Sequence, residues 1–185
     1  TEVATPAKVM EYIENSRAVR DALPTLVALK TSPFFALDGT LVSEEGYHAE
    51  TQSYLCLGDL VLPPVSAVPT EEEVTEAKRL LVEEVLADMP LNGKTRSEIM
   101  DALTGSALPA LANALALILL PFAREMIPGP TPFHLLNKPA PGTGAGFLAD
   151  VTSIIGTGAA TAPATLPASK EETAKTLTSV LMDGG

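Results

Sequence analysis

Between Ser106 and Ala123 the chain runs SALPALANALALILLPFA without a charge, its longest apolar stretch. Such a stretch has two solutions. It spans a bilayer, which takes roughly 17–25 apolar residues, or it lies in the interior of a globular fold. Pro109 and Pro121 interrupt it, Asn113 sits in its middle, and Arg124 and Glu125 end it. The sequence therefore predicts a helix buried inside a globular core, and no membrane span.

The remaining composition agrees with a soluble fold. The chain has 185 residues, 46% hydrophobic and 19% charged, which is room for one domain or two small ones. Its 12 Lys and Arg against 23 Asp and Glu give a net charge of −11. An acidic balance argues against a free-standing nucleic-acid binder, which needs cations to displace counterions from phosphate. The single cysteine, Cys56, excludes an intramolecular disulfide framework and a multi-thiolate zinc site. The opening TEVATPAKVM carries no apolar signal-peptide region, so a cytoplasmic location is expected.

Along the chain, Thr5 caps and Pro6 opens a first helix with Val9, Tyr12 and Ile13 on one face. Residues 23–62 change period. Asp38-Gly39 between apolar runs is a hairpin signal, and a second strand pattern runs from Tyr54 to Leu62, together a small antiparallel meander. Thr70-x-x-Glu73 is a capping box opening a helix to about Asp88, with Val74, Ala77, Leu81 and Val85 on its apolar face. The acidic run Glu71 to Glu84 reads as a solvated face, the docking surface being the less favoured alternative. Thr95-x-x-Glu98 is a second capping box, followed by Ile99, Met100 and Leu103. A boundary near Leu91-Asn92-Gly93 divides the chain into an N-terminal α+β module, 1–92, and a second part, 93–185, that begins with helices.

The segment TPFHLLNKPAPGTGAGFLADVTSIIG, Thr131 to Gly156, carries the chemistry. Phe133 to Leu136 reads as a short buried strand. A Gly/Pro loop follows, and then Phe147, Leu148, Val151, Ile154 and Ile155 at helical spacing. Strand, glycine loop and helix in that order form the setting of a phosphate-binding loop. Glycines let successive backbone N–H groups turn toward one anion, and the helix start adds its free N–H groups and positive dipole end. The pattern G-x-x-x-x-G-K-[ST] is broken, with Pro139 for the first Gly, Ala145 for the Lys and Gly146 for the hydroxyl residue. By spacing alone, Pro-Gly-Thr-Gly is equally a turn leading into a helix, in a non-catalytic structural or protein-interaction domain.

The chain resembles the ATPase region of phage and mobile-element primase–helicase-type replication proteins, within the P-loop/AAA+ group. The resemblance rests on short motifs in order over residues 25 to 182. Asp38-Gly39-Thr40-Leu41 and Gly46-Tyr47-x-x-x-Thr51 are similar to the small sheet before the ATPase core. Pro69-Thr70 and Ala87-Asp88-Met89-Pro90 are similar to the lead-in helix, and Thr131 to Leu136 to the first core strand. Ala140-Pro141-Gly142-Thr143-Gly144 resembles the phosphate loop, and Ser169 to Lys175 the helix before the second core strand. The resemblance implies α+β leading into α/β, with the first part of a P-loop core in the second half. It implies a nucleotide site at Pro141, Gly142, Thr143, Gly144, Ala145, Gly146 and Phe147, weak ATP or ADP binding with Mg, and little or no hydrolysis. It also implies the N-terminal part of a longer DNA-replication protein, because the second core strand with its magnesium-binding acid would follow Met182. Contact with nucleic acid would lie outside this chain, and a homo-oligomer would cover an exposed half-core.

Other reactive residues carry ordinary readings. His48, among Glu44, Glu45 and Glu50, reads as a loop histidine, since the spacing fits no zinc pattern. His134 reads as a hydrogen-bonded core residue and Cys56 as a buried strand residue. Lys138 precedes the turn on its far side and is not expected to replace the missing ammonium. Gly156 to Ala168, with Pro163 and Pro167, reads as a loop.

Overall fold

A computed structural model describes residues 7–105, 107–138, 140, 142–160 and 165–183. Thr5, Pro6, Pro139, Pro141 and Pro163 lie outside the described residues. Two short helices, α1 (Ala7–Asn15) and α2 (Arg17–Ala22), come first, and Val9, Tyr12 and Ile13 of α1 are exposed.

Five short strands follow: β1 (Ala28–Lys30), β2 (Phe34–Phe35), β3 (Leu41–Val42), β4 (Gly46–His48) and β5 (Ser53–Leu55). β2 and β3 form the expected Asp38-Gly39 hairpin, closed by the Ala36 N–H donating to the Thr40 carbonyl at 2.8 Å. The Asp38 carboxylate accepts from the Thr40 N–H and hydroxyl at 2.9 and 3.0 Å, and these bonds lower its pKa. The meander is corrected. β4 pairs antiparallel with β5, but β1 pairs parallel with β5, giving the order β1-β5-β4 in a mixed sheet separate from the hairpin. Strand signals are local, whereas a parallel partner is chosen by long-range closure. The pattern predicted over Tyr54–Leu62 also stops at Leu55, and Cys56 is exposed rather than buried. Phe34, Ala36, Val42 and Leu55 form the small core under these strands.

The helical part begins with α3 (Glu71–Leu80), whose capping box is complete: Glu73 N–H to Thr70 Oγ1 at 3.2 Å and Thr70 N–H to Glu73 Oε2 at 2.7 Å. α3 runs on into a π-helical turn, Leu81–Leu86, in which the Ala87 N–H reaches back to the Val82 carbonyl. The extra residue in that turn moves the buried face. Val82 and Leu86 are fully buried, while Val74 and Ala77 of the expected stripe are exposed and Leu81 and Val85 half-buried. α4 (Arg96–Asp101) starts at the second capping box and buries Ile99.

The uncharged stretch becomes α5 (Pro109–Ala123), with Pro109 in its first turn and Pro121 inside it. Only one face is buried, through Leu111, Ala114 and Ile118, so the prediction of a helix enclosed in the core is corrected. Ala112, Asn113, Ala116 and Leu119 of the same helix are exposed, Leu119 by 49%. Among the described residues, Pro109–Met126 is the one helix long and apolar enough to cross a membrane by length and composition. α6 (Ala145–Thr157) and α7 (Lys170–Asp183) complete the fold.

Val82, Leu86 and Met89 share one core with Ile99, Leu111, Ile118 and Leu148, so this core runs across the expected boundary at residues 92–93. The small sheets are fastened to the helices by polar contacts. Lys30 Nζ pairs with Glu125 at 3.0 Å while lying 5.5 Å from the Phe34 ring centroid. The Ser32 and Thr31 hydroxyls donate to the Gly156 and Thr157 carbonyls at 2.6 and 3.1 Å, satisfying acceptors that the end of α6 leaves open. The described residues thus form a mixed α and β fold of two small sheets and seven α-helices. The strand predicted at Phe133–Leu136 is absent: this segment is irregular, with Phe133 89% and Leu135 79% exposed. A short apolar run forms a strand only beside a partner edge, and none lies beside this one among the described residues.

Candidate functional site

The glycine turn and the start of α6 form one side of a cavity of about 890 Å³. Gly142 and Gly144 sit at φ +82° and +83°, left-handed conformations that disfavour any side chain with a Cβ. The neighbourhood of Gly144 is open, its nearest contact for an added Cβ being Pro90 Cδ at 3.9 Å, so backbone conformation rather than space calls for glycine here. Thr143, between them, donates its hydroxyl to the Ala140 carbonyl at 3.0 Å and fixes the turn. Gly144 is the residue before the helix, and no side chain caps it. The first N–H groups of α6 therefore have no partner within the helix and open on the turn.

The opposite side comes from the turn Met89–Gly93, in which Asn92 adopts a positive φ of 53°. α5 supplies the floor through Ala114 and Leu117, with Leu148 of α6 beside them. The irregular segment from Pro132 to Lys138 forms the remaining wall. Among the described residues, Lys138 is the only charged side chain lining the cavity, and no Asp or Glu lines it.

Of the predicted site residues, Thr143, Gly144 and Ala145 line the cavity. Gly142 sets the turn behind them. Gly146 and Phe147 are exposed in the first turn of α6, Phe147 by 63%, and an added Cβ at Gly146 meets nothing within 4 Å. Pro141 lies outside the described residues. Two residues read otherwise from sequence also line the cavity. His134 is half-buried in the irregular wall rather than in a core strand, and Lys138 shares the cavity with the turn. Their convergence depends on how residues 131–138 fold back over α5, which no local signal encodes.

His48 is half-buried in β4, its Nε2 2.7 Å from the Glu44 carbonyl oxygen. Among the described residues no group of three His, Cys, Asp or Glu is placed to hold a metal ion. No protein-family model, curated protein or solved structure matches the chain.

Proposed function

We propose that this chain is a cytoplasmic nucleotide-binding module of a phage or mobile-element helicase-like replication protein, holding ATP or ADP phosphates at Gly142–Ala145. The observation that carries this reading is the pair of left-handed glycines flanking Thr143, leading directly into an uncapped α6 beside an 890 Å³ cavity. That arrangement gathers backbone N–H donors and the positive end of a helix at one point. In this reading the turn Gly142–Gly144 stands where the phosphate loop of a P-loop core would lie. Ala145 stands where an ammonium would reach the β and γ phosphates. Its loss removes a charge-assisted bond of about 1.5–3 kcal/mol, roughly 10- to 100-fold in affinity. Hydrolysis suffers further, since that cation also stabilises charge developing in phosphoryl transfer. The module thus binds weakly and turns over little or nothing. A thermal shift with millimolar ATP or ADP and magnesium tests binding, and a phosphate-release assay tests turnover. No shift, or robust magnesium-dependent release, contradicts the respective half of the reading.

A second reading has its own observation. Phe133 and Leu135 project their apolar side chains into solvent beside the cavity. Exposed apolar patches of this kind mark interaction surfaces. In that reading the chain is a non-catalytic interaction domain, and the glycine turn only leads the chain into α6. An unchanged melting temperature with nucleotide is its expected result.

A further inference from the structure

Within the nucleotide reading above, on which this inference rests, we propose that Lys138 supplies the cation that position 145 lacks. The protein is acidic, −11 in net charge. Lys30, Arg79, Lys94, Arg96 and Lys175 all pair with carboxylates. Lys78, Lys138 and Lys170 are exposed and make no hydrogen bond or ion pair with a described residue, and of these three Lys138 alone lines the cavity. Among the described residues it is the only charge on the cavity wall, which Thr143, Gly144 and Ala145 share.

A lone cation on a wall free of carboxylates makes the cavity locally positive on an otherwise negative protein. Its natural complement is a polyanion, and the polyphosphate of a nucleotide is one that the neighbouring N–H groups also fit. A lysine ammonium acts as a point charge on a flexible stem, so it serves phosphate without the fixed geometry of a conventional loop lysine. Lys138 approaches from the segment before the turn, whereas the conventional lysine begins the helix after it. Its charge then favours ground-state binding and is not tied to the reacting γ-phosphate. Binding without turnover is the expected combination.

The experiment is calorimetric titration of ATP into the wild-type chain, Lys138→Ala, Lys138→Arg and Lys78→Ala, each checked for folding by circular dichroism. Lys78 is an exposed lysine on α3, away from the cavity, and controls for net charge. The proposal expects Lys138→Ala to weaken binding roughly 10- to 100-fold. It expects Lys138→Arg to stay within a few-fold of wild type and Lys78→Ala to be unchanged. Binding should also weaken with salt in the wild type and less so in Lys138→Ala. Measurable wild-type binding with equal affinity in Lys138→Ala overturns the role of Lys138 and leaves the nucleotide reading standing. Equal losses in Lys138→Ala and Lys78→Ala overturn it too, as an effect of net charge. No wild-type binding at millimolar ATP overturns both.

Discussion

Gly156 of α6 lies directly against Pro121 of α5: a Cβ built on Gly156 would sit 3.0 Å from Pro121 Cγ and 3.1 Å from its Cβ. The two helices meet where the proline ring, which cannot turn aside, requires a neighbour without a side chain. The Gly156 carbonyl also receives the Ser32 hydroxyl, so one residue joins α5, α6 and the loop between β1 and β2. The helix whose first turn borders the cavity is thus anchored at its far end.

Substitutions at this contact should be coupled. Gly156→Ala gains about 1 kcal/mol of helix propensity but meets an overpacking cost of about 1–3 kcal/mol. Gly156→Val should be clearly destabilising. In a Pro121→Ala background the same changes should cost less, because the ring is gone. Urea unfolding of the single and double variants measures this as an interaction energy. Strict additivity would show that the contact does not carry strain.

The π turn makes a second prediction, which separates two buried faces. Leu86→Ala should lose about 2–5 kcal/mol, as expected for a fully enclosed leucine. Val74→Ala, at a position 37% exposed, should change stability by less than about 1 kcal/mol. A regular α-helix burying Val74, Ala77, Leu81 and Val85 predicts the larger loss at Val74. Chemical denaturation of the two variants decides between them.

The start of α4 should show its own acid dependence. Glu98 is held at about 2, from an ordinary 4.5, first by the hydrogen bond from Lys94 and then by those from Thr95. Its folded pKa lies below the unfolded one, so its stabilisation is present above pH about 4.5 and fades as pH falls toward about 2. A carboxyl-detected NMR titration should place the Glu98 midpoint well under the usual glutamate range. Thr95→Ala should raise that midpoint and cost about 1 kcal/mol at neutral pH.

How much of this was legible depends on how local each signal is. Both capping boxes and the Asp38-Gly39 turn are written within a few residues, and the structure builds them as the sequence reads. α6 was legible from the spacing of Leu148, Val151 and Ile155. The parallel pairing of Ala28–Lys30 with Ser53–Leu55 was not, because partner choice is a property of the whole fold. The shift from Leu81 and Val85 to Val82 and Leu86 follows from one extra residue in a turn, which binary patterning cannot register. At the site, the glycines declared their turn, but the wall from Pro132 to Lys138 lacks the sheet edge a strand would need, and so its placement of Lys138 was hidden.

Restoring the missing cation gives a gain-of-function prediction. Ala145 is the first residue of α6 and lines the cavity, so Ala145→Lys sets an ammonium beside the turn without disturbing a packed side chain. ATP affinity should rise roughly 10- to 100-fold. The penalty of Lys138→Ala should shrink in that background. Calorimetry on the variants reads both effects.

The central claim is that the turn at Gly142–Ala145 binds nucleotide phosphate through its backbone. Amide NMR during an ATP titration observes those N–H groups directly. The account predicts saturable shifts at Thr143, Gly144, Ala145 and Gly146 by millimolar ATP, with ADP weaker and adenosine without effect at these amides. Unmoved amides there at millimolar ATP, or equal shifts with adenosine, would contradict it.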